Sequence, residues 1–348
     1  MDRSYTAIIP TFNSESTIAQ LLESLIKLES PPLEIIVVDD ASTDHTQYLV
    51  TQIEGVKLLR LKHNVGPGAA RNRGAEKAKT PWLLFIDSDC RLPLLSIEHA
   101  FPTKNEEKNK IVGIMGVFAP TGPRTSPIAS YKNMQRHHEI KSMKNPPEIF
   151  SSSCFTITKE AFLKCRGFNE AFGKIPTEDN EFYFRLTKKG LRIKYNIAFS
   201  FIHNKHMSIH GLFLDCYKRA KAIILNIFGQ LGEKRGSLKM HEVIRWGLEL
   251  VSGCIFAVSL ILIPISLLSF SASYSIIFLL SALFSAFIIG LINYKFYQFS
   301  FEFGGTQLLI RHIFLRSIEM VAAVTGMSVS AFELIFKQVQ CFSNSKTK

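Results

Sequence analysis

The sequence predicts an α/β fold: a domain built around a mostly parallel central sheet, followed by C-terminal transmembrane helices. Strand and helix patterns alternate through the first 90 residues, which is typical of βαβ units. Charge is also distributed unevenly along the 348 residues. Residues 246–348 hold six Lys or Arg and four Glu but no Asp, whereas residues 1–245 hold the other 35 basic and 25 acidic residues. A polar, basic N-terminal part is therefore joined to an apolar C-terminal part.

Each predicted strand of the first 90 residues is a short apolar run, and the first helix carries apolar residues at helical spacing. The run from Ile35 to Val38 is continuous, as expected of a strand buried on both faces. The predicted strands are residues 5–9, 34–39, 56–61 and 82–86, and the predicted helices are residues 14–28, about 44–53 and 66–78. In such a parallel sheet, functional side chains lie at the carboxyl ends of the strands.

Residues 91–205 continue this domain with less regular signals. A segment rich in Pro and Lys, residues 120–147, is predicted to be a loop between strands at 111–118 and 151–158. Helices are predicted at 159–165 and 179–189, and strands at 191–194 and 197–202. The domain is expected to span residues 1–205.

The remaining chain is expected to associate with a membrane. Residues 206–245 form a juxtamembrane segment whose basic amphipathic helix, 208–231, lies on the membrane surface or packs on the domain. In the membrane region, 246–348, residues 246–270 and 273–293 are each long enough to span a bilayer, which takes about 20 apolar residues; a buried hydrophobic hairpin is the alternative. Residues 312–336 carry Arg316 and Glu319 and are expected to be interfacial or re-entrant, with a third span as the alternative.

Charge and cysteine usage indicate the compartment. The six cysteines show no CxxC pair, and the N-terminus has no signal-peptide pattern. Because Arg245 and Lys295 flank the predicted hairpin, we expect the domain at the cytoplasmic face of a multi-pass membrane protein. The net charge of +12 suits anionic membrane lipids. The basic residues are scattered without a known binding motif, so nucleic acid is not the expected partner.

The segment Asp87-Ser88-Asp89 follows an apolar strand directly. Two carboxylates one residue apart at a strand end can reach a hard divalent cation, and Mg²⁺ and Mn²⁺ prefer oxygen ligands shared with phosphates. Taken alone, such a pair is more often a solvated turn. Its position after a series of βαβ units favours the metal site.

Two further segments carry groups suited to a nucleotide. Asp39 and Asp40 end a predicted strand and can accept hydrogen bonds from a base or a ribose, although the residues that follow can simply cap a helix. The glycine-rich stretch 66–74 is not a dinucleotide fingerprint, because Arg71 replaces its third glycine. A helix start with Arg71 on its face can still meet a diphosphate. No P-loop motif occurs.

Acidic and histidine side chains follow later in the domain. Glu178 and Asp179 begin a predicted helix after Thr177; they complement the helix dipole, and a carboxylate there can also deprotonate a hydroxyl nucleophile. His203 and His206 follow the last predicted strand. Either histidine can ligate a metal or donate to a phosphate, and a surface histidine is the alternative.

Together these segments resemble the family 2 glycosyltransferases, inverting enzymes of the GT-A fold. The matching segments, in order, are residues 8–13, 37–44, 66–72, 85–89, 167–170 and 177–179. The chain has Phe12 where Tyr is usual in that family. It also lacks the QxxRW motif of processive members, so the resemblance implies transfer of a single sugar.

The resemblance implies roles for individual residues. The residues implied to bind the nucleotide sugar are Pro10, Thr11, Glu15, Asp39, Asp40, Arg71 and Asp87. Asp89 is implied to hold Mg²⁺ or Mn²⁺ on the diphosphate, together with His203, or with His206 in its place. Asp179 is implied to be the general base, and Glu178 is implied to help place the acceptor.

The function expected from the resemblance is transfer of one sugar, most often from a UDP-sugar, to a hydroxyl or phosphate acceptor. That acceptor is lipid-linked or a glycan, and the setting is cell-envelope or polysaccharide biosynthesis. The alternative is a membrane-tethered nucleotide-sugar-binding or scaffold protein without catalysis. A damaged acidic site would favour the alternative, but Asp40, Asp87, Asp89 and Asp179 are all present.

Overall fold

A computed structural model describes most of the chain. The described residues are 3–120, 126–143, 145, 147, 150–172, 178–204, 207–229, 251–252, 255–256, 258–259, 262–266 and 272–345. They divide into two compact units, Met1–His206 and Met207–Lys348.

The N-terminal unit contains eight described strands. They are β1 (Tyr5–Thr11), β2 (Glu34–Asp39), β3 (Val56–Arg60), β4 (Trp82–Ile86), β5 (Cys90–Arg91), β6 (Ile111–Phe118), β7 (Cys154–Thr158) and β8 (Arg192–His203). The described helices are α1 (Ile18–Ile26), α2 (Thr46–Thr51), α3 (Pro67–Lys77), α4 (Lys104–Lys108), α5 (Pro127–Ser142), α6 (Lys159–Lys164) and α7 (Glu178–Lys188). Short 3₁₀ helices cover Ser96–His99 and Glu170–Phe172.

The strands form one sheet in the order β3-β2-β1-β4-β7-β6-β8-β5. The first four strands are parallel, as the strand–helix alternation predicts. β7 runs antiparallel to both β4 and β6, and β8 runs parallel to β6. β6 and β8 therefore point in the same direction as β4. The carboxyl ends of β1, β2, β4, β6 and β8 consequently meet at one edge of the sheet, which positions the candidate site.

The core explains why the sheet forms where it does. All residues of β1, β2 and β4 are buried, which matches their continuous apolar runs. α1 buries Ile18, Leu21, Leu22 and Leu25, the stripe that its spacing predicts. Aromatic rings fill the space beside β4 and β7, where Phe85, Phe155, Phe162, Phe168 and Phe182 contact one another. Such pairs add to the stabilisation that burial gives.

The predicted loop at 120–147 is wrong for most of its length, because α5 occupies residues 127–142. The side chain of Ser126 accepts a hydrogen bond from the Ala129 N–H, and Pro127 sits in the first turn, where proline is tolerated. The helix buries Tyr131 and Met134. Its buried side also contains the polar residues Asn133, Gln135 and His137, so the sequence shows no clear apolar stripe.

The two predicted strands at 191–194 and 197–202 are one strand in the structure. Met115 of β6 pairs with Tyr195 of β8, and Val117 pairs with Ser200. Residues 196–199 therefore bulge out of register opposite a single residue of β6. This irregularity explains why the apolar pattern appears interrupted in the sequence.

The C-terminal unit is helical in its described parts. Its helices are α8 (Ile209–Gly229), α9 (Ala272–Ile292) and α10 (Tyr294–Ser345). α10 is interrupted by non-helical backbone at Gly304 and Gly305. A Cβ at Gly326 would collide with the backbone of Tyr217, so this glycine allows α8 and α10 to pack closely.

Among the described residues, one helix is long and apolar enough to cross a membrane, Tyr274–Ile292. It corresponds to the predicted span at 273–293. Most of the other predicted span, 246–270, lies outside the described residues. The stretch 312–336 lies within α10, which does not meet the same criterion in its described part. The multi-pass arrangement expected from the sequence is therefore not supported, and one span is a candidate.

Candidate active site

The carboxyl edge of the sheet carries most of the predicted site residues. Thr11 and Asp39 end β1 and β2 and are paired in register. Asp87 follows the last residue of β4, and His203 is the last residue of β8. Residues far apart in the chain therefore meet at this edge because their strands run in one direction.

Arg71 forms the centre of a charged cluster. It lies in the second turn of α3 with only 3% of its side chain exposed. Its Nη2 donates a hydrogen bond to Oδ1 of Asp87 at 2.6 Å, and its Nη1 lies 3.6 Å from Oε1 of Glu178. The guanidinium also lies 5.3 Å from the centre of the Phe168 ring. One buried cation thus joins the end of β4 to the start of α7.

Two neighbours set the geometry of this cluster. The amide of Asn72 accepts a hydrogen bond from the Phe168 N–H at 2.8 Å and donates one to the Phe168 C=O at 2.9 Å. This holds the Phe168 ring against Arg71. At Gly68, a Cβ would lie 3.2 Å from Cβ of Phe168 and 3.4 Å from Cγ of Glu178, so the glycine lets α3 approach both.

Glu178 and Asp179 occupy the first turn of α7. Burial raises the pKa of Glu178 above its ordinary value, Arg71 lowers it in part, and the Asp179 carboxylate raises it again. Asp179 is half-buried, and its Oδ1 accepts the N–H of Asn180 at 2.8 Å. Thr177, which precedes the pair, lies outside the described residues. The pair therefore consists of a buried carboxyl group with a raised pKa and a more exposed carboxyl group beside it.

A second cluster contains Asp89, Cys90 and His203. Oδ1 of Asp89 lies 3.3 Å from Nε2 of His203. The ligand atoms of all three residues lie within 4.8 Å of one another, close enough to hold one metal ion. Cys90 pairs with His203 between β5 and β8, which a sequence pattern cannot show. His206, the alternative to His203, lies outside the described residues.

The donor set fits a divalent cation that accepts both oxygen and nitrogen. Burial raises the pKa of the Cys90 thiol well above its ordinary value, so sulfur stays protonated and is a poor ligand. A carboxylate and an imidazole remain. Mg²⁺ prefers oxygen ligands throughout, whereas the first-row transition ions accept imidazole nitrogen as well. The Asp89 carboxylate and the His203 imidazole could therefore hold a divalent cation between them.

Asp39 and Asp40 hold loops at the same edge of the sheet. Both are buried. Asp40 accepts hydrogen bonds from the backbone N–H groups of Val65 and Gly66, each at 2.8 Å. Asp39 accepts one from Nε2 of Gln47 at 2.6 Å. The Asp40 carboxylate thus meets the loop directly before α3.

The residues predicted to line a nucleotide pocket near β1 differ in exposure. Pro10 and Thr11 are buried in β1, and Oγ1 of Thr11 makes no hydrogen bond within the described structure. Glu15 is half exposed, and its Oε2 accepts the backbone N–H of His45 at 3.0 Å. This backbone hydrogen bond and a second one from the His45 side chain lower the pKa of Glu15. Glu15 therefore caps the start of α2.

Comparison with known proteins gives the family of this domain. Residues 6–167 match the family model described as Glycosyl transferase family 2. The succinoglycan biosynthesis protein ExoO of Rhizobium meliloti is 41% identical over 86 residues, which are 24% of this chain and 25% of that protein. A GalNAc(5)-diNAcBac-PP-undecaprenol beta-1,3-glucosyltransferase of Campylobacter jejuni is 26% identical over 172 residues, 48% of this chain and 55% of that enzyme. The matches thus span a quarter to about half of these relatives.

A solved structure shows the same fold. The mannosyltransferase PcManGT of Pyrobaculum calidifontis, in complex with GDP-Man and Mn²⁺, superposes with a TM-score of 0.54 over 94% of this chain and 87% of its own, at 14% identity. This likeness and the sheet order confirm the GT-A type of fold that the motifs predict. With the matched segment, the sheet and the order of the motifs in agreement, this chain carries a glycosyltransferase family 2 domain.

Proposed function

We propose that this chain is an inverting glycosyltransferase that moves one sugar from a nucleotide sugar to a hydroxyl or phosphate acceptor. The observation that carries the proposal is the meeting of Asp87, Asp89, Glu178 and His203 at one edge of the sheet. Positive and negative groups are therefore present at this edge, and such groups can stabilise the charge that develops when a diphosphate leaves. The family 2 match gives the reaction class.

On the donor side, we assign Asp87 and Asp89 to the nucleotide sugar. Asp87 is fixed by Arg71 at 2.6 Å, which leaves its second oxygen available for a ribose or sugar hydroxyl. We also assign Asp39 and Asp40 to the donor side, where Asp39 accepts a hydrogen bond from Gln47 and Asp40 accepts the Val65 N–H. Thr11 and Glu15 border the same edge, and UDP is the expected nucleotide.

A divalent cation fits beside this donor pocket. Asp89 and His203 would hold it, and the neighbour of the same fold was solved with Mn²⁺. When bound, such an ion stabilises the negative charge of a leaving diphosphate. The carboxylate of Asp89 and the imidazole of His203 already lie side by side, 3.3 Å apart.

On the acceptor side, we assign Asp179 as the base. Asp179 is more exposed than Glu178, and a base must lie within hydrogen-bond reach of the hydroxyl proton that it removes. Glu178 is the more buried of the two and lies 3.6 Å from the Arg71 guanidinium, so it is less available to an acceptor hydroxyl. Attack from the face opposite the leaving group inverts the anomeric carbon.

The acceptor that we propose is lipid-linked and is presented at the cytoplasmic face of a membrane. One relative supports it by its name, the GalNAc(5)-diNAcBac-PP-undecaprenol beta-1,3-glucosyltransferase of Campylobacter jejuni. Helix Tyr274–Ile292 is apolar and only 17% buried, so contact with membrane lipids is part of the proposal.

The test is product formation by the full chain with a panel of UDP-, GDP- and CDP-sugars, a polyprenyl diphosphate-linked acceptor and Mn²⁺. We expect transfer with one donor class. Asp179→Asn should retain nucleotide binding and lower turnover by about 10²- to 10⁴-fold. Nucleotide binding without any transfer would favour the scaffold alternative, and normal turnover of Asp179→Asn would remove it as the base.

A further inference from the structure

Among the described strands, none pairs with the backbone of His203 on the side of β8 that faces β6. On one side, β5 pairs with β8 at Cys90 and His203. On the other side, the last register pair of β6 with β8 is Phe118 with Phe201. β6 thus ends two residues short of His203. A buried N–H and C=O left without partners at this point would cost free energy.

The side chain of Asn133 takes the place of the missing strand. Its Nδ2 donates a hydrogen bond to the C=O of His203 at 2.8 Å, and its Oδ1 accepts the N–H of His203 at 3.1 Å. The carboxamide thus binds this residue as a neighbouring peptide unit would. The same Nδ2 also donates to the Ala129 C=O at 2.8 Å, which fixes the side chain against its own helix.

Asn133 occupies a position at which asparagine is not expected. Asn133 lies in the middle of α5 and is 1% exposed. Asparagine is unfavourable in helix interiors, and a buried amide is costly unless it is hydrogen-bonded. An apolar residue would serve packing alone. The hydrogen bonds to both backbone groups of His203 account for the amide.

We infer that Asn133 is a positioning residue for the metal site: by clamping the backbone of His203, it fixes the imidazole beside the Asp89 carboxylate. The inference rests on the metal site of the proposed function. Nε2 of His203 lies 3.3 Å from Oδ1 of Asp89, so a small rotation of the strand end would separate the two ligands. Groups that orient metal ligands typically change metal affinity by about 10- to 100-fold when they are replaced.

The test measures Mn²⁺ binding to the full chain in detergent, without donor or acceptor, by electron paramagnetic resonance of the free ion. Asn133→Leu keeps the volume and removes all three hydrogen bonds. Its Mn²⁺ affinity should be about 10- to 100-fold below that of the wild type. Hydrogen exchange at the end of β8 should rise, while exchange in β1 and β4 stays unchanged.

A matched control separates positioning from general loosening. Thr156 of β7 is another fully buried polar residue, and its hydroxyl accepts the Ile114 N–H and donates to the Ala100 C=O. Thr156→Val removes these hydrogen bonds away from the site and should leave the Mn²⁺ affinity unchanged. In a His203→Ala background, Asn133→Leu should have no further effect on it. Should Asn133→Leu fail to fold, Asn133→Asp retains the acceptor for the His203 N–H and loses the donor, and it should also bind Mn²⁺ more weakly.

Each other outcome overturns the inference. Wild-type affinity in the folded Asn133 variants would show that the clamp does not serve the metal. Equal weakening of Mn²⁺ binding by Thr156→Val would show that the effect is a general loss of stability. If the wild type itself binds no Mn²⁺, the metal site of the proposed function is wrong and the inference is wrong with it. If the wild type binds Mn²⁺ and the Asn133 variants bind it equally well, only the inference is overturned.

Discussion

Replacing Arg71 with methionine removes the positive charge that lies between Asp87 and Glu178. The guanidinium is 3% exposed and contacts Oδ1 of Asp87 at 2.6 Å and Oε1 of Glu178 at 3.6 Å. Methionine fills much of the same volume and can keep a contact with the Phe168 ring. The variant therefore tests the loss of charge with little loss of packing.

The size of the destabilisation caused by Arg71→Met depends on how well water can solvate the two carboxylates. Breaking a buried ion pair by removing one partner costs about 3–5 kcal/mol. The side chain of Asp87 is 26% exposed and that of Glu178 is 10% exposed. Because water can solvate Asp87 in part, we expect the lower end of that range, about 3 kcal/mol of unfolding free energy at about pH 8.

The loss of unfolding free energy in Arg71→Met should be smaller at acidic pH. Burial raises the pKa of Glu178, and Arg71 opposes this rise, so removing Arg71 raises that pKa further. A carboxyl group whose folded pKa is raised binds its proton more tightly when folded. Its contribution to stability is present at low pH and is lost as the pH rises through the folded pKa. The destabilisation of Arg71→Met should therefore be smaller at about pH 5 than at about pH 8.

The assay is urea unfolding of the full chain, followed by tryptophan fluorescence. The protein has two tryptophans, so a Trp246→Phe background leaves Trp82, which is buried in β4, as the reporter. Arg73→Met is the matched control. Arg73 lies two residues further along α3, and its ion pairs with Glu76 and Glu170 are exposed. Arg73→Met should lower the unfolding free energy by less than about 1 kcal/mol. A loss of that small size for Arg71→Met, or the same loss at both pH values, would refute the reasoning.

Three further predictions concern the sheet and the metal site. Burial raises the pKa of Glu34, but hydrogen bonds from a lysine, a threonine and a backbone N–H outweigh it and hold that pKa below its ordinary value. Glu34→Gln should therefore cost about 1–3 kcal/mol near neutral pH, and the difference in urea midpoint from the wild type should vanish as the pH falls through the folded pKa. Gly74→Ala would push a Cβ into the Ile8 side chain and should lower stability by about 1–3 kcal/mol; an unchanged melting temperature would contradict this close packing. Asp89→Ala should abolish the Mn²⁺-dependent part of donor binding, measured by calorimetry with and without the ion, and an unchanged metal dependence would remove Asp89 from the site.

Elements with continuous apolar runs were predictable from the sequence with accurate boundaries. The strands at 34–39 and 82–86 begin and end where predicted, because burial on both faces requires an unbroken apolar run. The first helix is shorter than predicted. Residues 14–17 form a turn in which the Ser14 N–H donates to Oγ1 of Thr46, a tertiary contact that competes with helix formation. α5 was missed because its polar content and its first proline resemble a loop.

The candidate site was predictable as a set of residues but not as a set of contacts. Asp87 and Asp89 were recognisable from their position after a strand, yet the structure gives them different partners. Asp87 turns to Arg71, whereas Asp89 turns to His203. The turn between them, closed by the hydrogen bond from the Cys90 N–H to the Asp87 C=O, separates the two side chains.

The α/β class, the family and the residues at the strand ends could be derived from the sequence, because these depend on local apolar periodicity and on short motifs in a fixed order. The folded domain was needed to see which carboxylate meets which cation, that Cys90 lies beside His203, and that Asn133 completes the sheet at that histidine. Buried charges and backbone groups must find partners. The chain supplies those partners from segments far apart in sequence, which come together only when the strands align in one sheet.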